Sequence, residues 1–212
     1  MTLKSRRDSA FRTFLATLTI FALFSGAVAL GWLYPFDLWA LSVSQTWTTE
    51  SLDRLGDAFS TIGGLRISIA ALAVLGIWLF STNRRVLAVR LAIALLVTSL
   101  VELSMKMLLP QAAMPEDTGR STGYSPLVDV PYAHPYPSGH MLRSVLLLGV
   151  VFVLWKNRTA RSLIVAALLG MAVSRMYLGV HWASDVIGGT LLGLAGLAWI
   201  FYHRKGGSKA WK

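Results

Sequence analysis

Long apolar runs leave this chain few ways to fold. About 18 to 20 apolar residues are needed to cross roughly 30 Å of hydrocarbon at about 1.5 Å of rise per residue. Six runs approach or exceed that length: about Phe14 to Phe36, Leu65 to Phe80, Val86 to Leu109, Gly139 to Trp155, Leu163 to Leu178 and Trp182 to Tyr202. The expected fold is all-α, a six-transmembrane-helix bundle forming a single domain over residues 1–212. Between the first two runs, residues 37–64 mix Trp39, Leu41, Val43, Trp47, Leu52, Leu55 and Phe59 with Thr, Ser, Asp and Glu, the pattern of an amphipathic interfacial segment. The composition is 55% hydrophobic and 14% charged, which a soluble domain of this length rarely combines.

The first run follows a basic tail, Lys4, Arg6, Arg7 and Arg12, so it reads as either a signal peptide or a membrane anchor. Ala27-Val28-Ala29 resembles a cleavage site, yet apolar character continues through Leu30, Trp32 and Leu33, which favours a retained anchor. If the six runs alternate, 14 of the 20 basic residues fall at one face, among them Arg84, Arg85, Arg90, Lys156, Arg158, Arg161, Arg204 and Lys205. Short cytoplasmic loops carry the lysine and arginine excess, so both termini are expected in the cytoplasm. Six basic residues fall on or near the opposite face, namely Arg54, Arg66, Lys106, Arg120, Arg143 and Arg175, together with a long polar loop from Pro110 to Pro137. Orientation does not account for these six, and intramembrane charge is costly, so function is sought at that outer face.

The net charge of +10 does not imply nucleic acid, because the basic residues are scattered between apolar runs and line no single soluble face. The absence of cysteine excludes disulfides, thiolate metal sites and cysteine nucleophiles.

Three groups of residues carry chemistry. Glu102 and Lys106 stand four apart on one helical face near the membrane boundary, where a mutually neutralised pair is the simplest reading. Pro137-Ser138-Gly139-His140 precedes an apolar run. Serine suits a helix N-cap, glycine allows close approach, and unpartnered N–H groups at a helix start bind anions such as phosphate. A histidine in that first turn can hand a proton to a departing oxygen, although an ordinary cap beside an incidental histidine reads equally well. The third group is Ser174-Arg175, then His181, then Asp185. A histidine and an aspartate four apart on a helix start lie about 40° apart around the axis, so the carboxylate can accept one imidazole N–H and fix the tautomer. The other nitrogen then faces outward as a lone pair, the state of a nucleophile or base, and Arg175 offers a planar fork for phosphate oxygens. Taken alone, the pair reads as well as a structural contact.

Read in order, these groups resemble the signature of the type 2 phosphatidic-acid phosphatase superfamily, integral-membrane lipid phosphate phosphatases. The resemblance rests on Pro-Ser-Gly-His at 137–140 and on Ser-Arg, five residues, His, three residues, Asp at 174–185. It implies that His181 attacks phosphorus to form a phosphohistidine, that Asp185 orients it, and that His140 protonates the leaving oxygen. Lys106, Ser138, Gly139, Ser174 and Arg175 would hold the phosphate, with no metal or other cofactor. A zinc site built from His134, His140 and His181 is the competing idea, and no ligand spacing supports it.

One motif departs from the family pattern. A lysine followed by six or seven residues and Arg-Pro is expected, but after Lys106 the arginine position holds Ala113 or Met114. One missing phosphate-binding guanidinium costs about 2 to 4 kcal/mol of transition-state stabilisation, by analogy with loss of an oxyanion donor. Arg143, three residues after His140, is the expected replacement, with Arg120 as second candidate and a pair with Asp129 or Asp185 as the alternative for Arg143.

The expected activity is hydrolysis of a lipid phosphate monoester or diphosphate: a polyprenyl diphosphate, phosphatidylglycerol phosphate or phosphatidic acid. Phosphate transfer between lipids, a small transporter or flippase with a polar pathway, and a catalytically dead lipid-binding relative are the other readings. The expected partners are the bilayer and a lipid phosphate substrate. The expected location is a bacterial inner membrane with the site outside, and oligomeric state is left open.

Overall fold

A computed structural model describes residues 3–120 and 134–202, with 3–10 as backbone only. It contains α1 (Leu3–Ala29), α2 (Tyr34–Ser44), α3 (Glu50–Gly63), α4 (Leu65–Ser81), α5 (Arg85–Leu108), α6 (Gly139–Leu154), α7 (Arg158–Tyr177) and α8 (Ala183–Ile200), plus a 3-10 turn at Glu116–Thr118. There is no strand among the described residues. In hydrocarbon every backbone donor and acceptor needs an internal partner, and helices supply it within one segment.

The chain is a multi-pass integral membrane protein. Four helices, α1 from Phe11, α5, α7 and α8, are each long and apolar enough to cross a bilayer among the described residues. α3 and α4 pass that test only together, as a pair bent by 49°. α6 has only 16 residues, and most of its side chains, Leu142, Leu146 and Val150 among them, are buried inside the bundle.

The described residues thus form eight α-helices where the sequence predicts six spans and one interfacial segment. The first apolar run breaks after Ala29 because Gly31 takes a left-handed conformation (φ 73°), and Pro35, which lacks an amide N–H, opens α2. The segment 37–64 is likewise no single amphipathic helix. It divides at 45–49, where the Thr49 side chain accepts a hydrogen bond from Leu52 N (3.2 Å) and starts α3 with Glu50 and Asp53 in its first turn. The remaining predicted runs match α4 to α8 within a few residues at their ends, except that α7 begins five residues early at Arg158, capped by Asn157.

α1 lies antiparallel along α8. Phe11 meets Tyr202 at one end (ring centroids 5.3 Å) and Tyr34, just past α1, meets Trp182 at the other (5.7 Å). The main core joins Phe21 and Val28 of α1 to Leu87 and Leu91 of α5, Leu142 and Leu146 of α6, and Leu192 of α8. At one end, arginines satisfy helix C-termini. Arg90 donates to the carbonyls of Ile200 and Tyr202, and Arg161 Nε donates to those of Phe152 (3.0 Å) and Trp155 (2.9 Å). At the other end the C-termini of α5 and α7 meet the N-termini of α6 and α8, and this end holds the predicted site residues.

Candidate active site

The turn between α7 and α8 is shaped around one carboxylate. Asp185 is fully buried in the first turn of α8, where its Oδ2 accepts from the Trp182 backbone N–H (2.9 Å) and faces His181 Nδ1 at 3.1 Å. A carboxylate only accepts, so Nδ1 carries the proton and the tautomer is set. Trp182 locks the turn by donating its Nε1–H to the Ala112 carbonyl (2.9 Å). Burial, followed by the positive charges of Lys106, Arg175 and Arg143, holds the His181 pKa well below its ordinary 6.5, so the imidazole is neutral at neutral pH. The ring is only 7% exposed, and the Pro135 carbonyl is also a hydrogen-bonding neighbour.

α8 can host this turn because it has no side chain in the way at two positions. A Cβ at Gly188 would lie 2.3 Å from the Tyr136 ring, and one at Gly189 would lie 2.3 Å from the Ser138 carbonyl oxygen. The segment 136–138 therefore packs directly on α8. It is pinned there by Ser138 N–H donating to the Asp185 carbonyl (2.9 Å) and by the Tyr136 hydroxyl paired with Ser25 of α1 (2.8 Å).

The predicted cations converge around Glu102. Its Oε1 lies 3.5 Å from Lys106 Nζ and its Oε2 lies 3.2 Å from Arg143 Nη1, all three side chains being nearly buried. Arg143 thus pairs with Glu102, not with Asp185, while Asp129 lies outside the described residues. Arg175 donates to the hydroxyl of Ser60 on α3, and the Ser60 carbonyl meets His140 Nε2 at 3.1 Å. His140 lies within electrostatic reach of Arg175, Arg143 and His181, so α6, α7 and the α7–α8 turn contribute to one site.

Ser138 occupies the N-cap position of α6 but makes no capping bond, and its buried Oγ has no hydrogen-bond partner among the described residues. Gly139 leaves room for Glu102, whose Oε1 would lie 2.0 Å from an added Cβ. Ser174 is turned back into its own helix, donating to the Met171 carbonyl (2.8 Å). Arg120 is held elsewhere: it forms a two-pronged bond to Asp53 (2.8 and 2.9 Å), stacks over Tyr177, and donates its backbone N–H to the Leu178 carbonyl (3.0 Å). Among the described residues no group of three or more His, Cys, Asp or Glu could hold a metal ion, the trio His134, His140 and His181 included.

Several residues at this end escaped the sequence reading. Gln111 donates its side-chain amide to Asp185 Oδ1 (2.7 Å) and to Ser184 Oγ (3.2 Å). Asp37 of α2 accepts from the Ser184 backbone N–H (2.8 Å) and hydroxyl (2.7 Å), acting as a cap brought in from another helix, and burial raises its pKa above the ordinary 3.8. A cavity of about 440 Å³ adjoins these groups, lined by Leu33, Tyr34, Asp37, Gln111, His134 and Trp182 among others. The only signal in the sequence was a lone acid in an apolar stretch for Asp37. For Gln111 and Ser60 there was none.

Residues 85–207 match the model of the PAP2 superfamily. A protein of Escherichia coli strain K12 named "Putative undecaprenyl-diphosphatase YbjG" is 31% identical over 132 residues, which are 61% of this chain and 64% of that protein's length. The chain thus spans just under two thirds of this curated relative. A crystal structure of a transmembrane PAP2-type phosphatidylglycerolphosphate phosphatase from Bacillus subtilis superposes with a TM-score of 0.72, covering 89% of this chain and 94% of that one. At 16% identity this second likeness concerns the fold.

Proposed function

We propose, from the premise that the chain belongs to the PAP2 superfamily, that it is a membrane lipid phosphatase working through a phosphohistidine on His181. One observation carries the reading: a neutral imidazole, fixed by a buried carboxylate at 3.1 Å, stands among the charges of Lys106, Arg143 and Arg175 drawn from separate helices. Phosphoryl transfer asks a protein mainly for positioning and for fixed positive charge, and this end of the bundle supplies both.

In the proposed reaction, Nε2 of His181 attacks phosphorus while Asp185 balances the charge that develops on the ring. The bond to the leaving oxygen breaks and that oxygen takes a proton from His140. Water, deprotonated by His140, then attacks the phosphohistidine, releasing inorganic phosphate and restoring His181. Lys106, Arg175, Arg143 and the start of α6 at Ser138 and Gly139 hold the phosphoryl oxygens. Arg143 takes the part of the guanidinium missing after Lys106, and its pairing with Glu102 keeps it at the site when no phosphate is bound. Ser174 has a lesser part, since its hydroxyl is spent within α7.

The proposed substrate is a polyprenyl diphosphate, in line with the name of the E. coli relative, with phosphatidylglycerol phosphate and phosphatidic acid as further substrates to test. The chain is read as one domain crossing the membrane six times, with the bent α3–α4 pair as one crossing and α6 as a short buried one. Both termini then face the cytoplasm and the site faces outward from a bacterial inner membrane, because Arg84, Arg85, Arg90, Lys156, Arg158 and Arg161 cluster at the opposite end. Charge gathered at one end argues against a transport pathway, which needs polar groups at mid-depth.

The test is phosphate release from these lipids by detergent-purified protein, with His181→Ala alongside and a chelator present. Release that disappears in the variant is expected. Activity surviving that substitution refutes the nucleophile, and transfer of labelled phosphate to an added lipid alcohol in place of water would make the enzyme a transferase.

A further inference from the structure

We infer that Gln111, in the segment after α5, is a positioning residue for the nucleophile, aligning Asp185 and through it the His181 imidazole. This rests on the reading of His181 given above. The Gln111 Nε2 lies 2.7 Å from Asp185 Oδ1 and 3.2 Å from Ser184 Oγ. Its orientation follows from chemistry, because turning the amide over would set its oxygen against the carboxylate. Asp185 therefore has both oxygens engaged, Oδ1 by Gln111 and Oδ2 by His181 and the Trp182 N–H.

A carboxylate held by Oδ2 alone can still rotate about its Cβ–Cγ bond; a donor on Oδ1 removes that freedom and so aims the imidazole. The acceptor oxygen of the Gln111 amide is buried and has no partner among the described residues. Among the described residues the glutamine therefore works here through its donor side. The backbone is prepared for this, with Gln111 N–H 3.4 Å and its carbonyl oxygen 3.1 Å from His134 Nδ1, and with the His134 N–H donating to the Lys106 carbonyl (3.1 Å). The support extends outward, because Ser184, the second contact of the amide, donates its own hydroxyl to Asp37.

Outer partners that orient a metal-ligating histidine are commonly worth about 10- to 100-fold in activity, and a nucleophilic imidazole aimed through a carboxylate is expected to respond on the same scale. Two variants separate alignment from bulk. Gln111→Ala removes the donor, and Gln111→Glu keeps the shape but sets a second carboxylate against Asp185. The protein is purified whole in detergent, and kcat and KM for lipid phosphate hydrolysis are measured across pH, with thermal unfolding as the control for folding.

The expected result for Gln111→Ala is a kcat lower by about 10- to 100-fold with KM within about twofold. Gln111→Glu falls further at neutral pH and recovers part of its rate as acid neutralises the introduced carboxylate. ¹⁵N spectra of the labelled histidines give a readout that needs no turnover: the His181 ring nitrogens move in Gln111→Ala relative to wild type, and His181→Ala identifies them. An unchanged kcat, an effect confined to KM, identical pH profiles for the two variants, or unmoved His181 resonances would each overturn the inference. If wild type and His181→Ala release phosphate equally, it is the assigned nucleophile that fails, and the spectra still judge Gln111.

Discussion

Adding one methyl group at Gly139 is a sharp test of the cation cluster. A Cβ there would sit 2.0 Å from Glu102 Oε1, 2.6 Å from its carboxyl carbon and 2.8 Å from Arg143 Nη1. Real contacts stay beyond about 3 Å, so the Glu102 carboxylate must retreat by about 1 Å, which a side-chain rotation accommodates without unfolding α6. That carboxylate is the shared partner of Lys106 (3.5 Å) and Arg143 (3.2 Å), so both cations move with it. A displacement of about 1 Å among groups that position a reacting centre costs about a hundredfold in rate, which is about 2.7 kcal/mol of barrier. Gly139→Ala is therefore expected to retain its thermal stability to within a few degrees while kcat/KM for a lipid phosphate falls about a hundredfold. The assay is phosphate release over a range of substrate concentrations, run with Glu102→Ala and the double variant. If the methyl acts by pushing Glu102, the double variant does no worse than Glu102→Ala alone, a clear departure from additivity. Turnover within about twofold of wild type in Gly139→Ala, or fully additive losses, refutes the reasoning.

Arg143→Ala is expected to lower kcat/KM by about a hundredfold, about 2.7 kcal/mol, because it removes a guanidinium from the proposed phosphate site; normal turnover and affinity sink the compensating role. The low pKa of His181 means that protonation, which would consume its lone pair, occurs only below its ordinary 6.5, so the ¹⁵N shifts of the His181 ring are expected to stay those of a neutral imidazole at pH 7; a His181 titration above 6.5 contradicts a buried neutral imidazole. For Asp37, burial raises the folded pKa above 3.8, so stability is lost as the pH rises from 3.8 through the folded value and the loss is complete above it. Asp37→Asn should accordingly melt no lower than wild type at pH 7, with any gain vanishing near pH 4, whereas Asp37→Ala strands the Ser184 donors and loses about 1 to 3 kcal/mol. Equal melting of the two variants at pH 7 would contradict that account.

How much was legible beforehand follows from the range of each interaction. The helical class and the ends of α4, α5, α6 and α8 were readable because long apolar runs and helix-start residues are local signals. The His181 to Asp185 contact was readable because it spans only four residues of one turn. The break at Gly31 was missed because apolar character runs through the turn unchanged, and only a left-handed glycine followed by Pro35 marks it. Arg143 was expected near the phosphate end, but its partner Glu102 lies 41 positions away on another helix, and no periodicity announces such a pairing. Asp37, Ser60 and Gln111 reach the site across 147, 115 and 74 positions respectively, so only the folded bundle reveals them.

The arginines at the far end have a consequence for how such a protein changes over time. In the proposed orientation Arg90 and Arg161 belong to the basic set that biases the direction of membrane insertion, and the same guanidiniums donate to carbonyls that the ends of α8 and α6 leave over. A mutation that rewrites the topological signal at either position also frays a helix terminus. In that orientation the direction of insertion and the closure of two helix ends draw on the same two side chains.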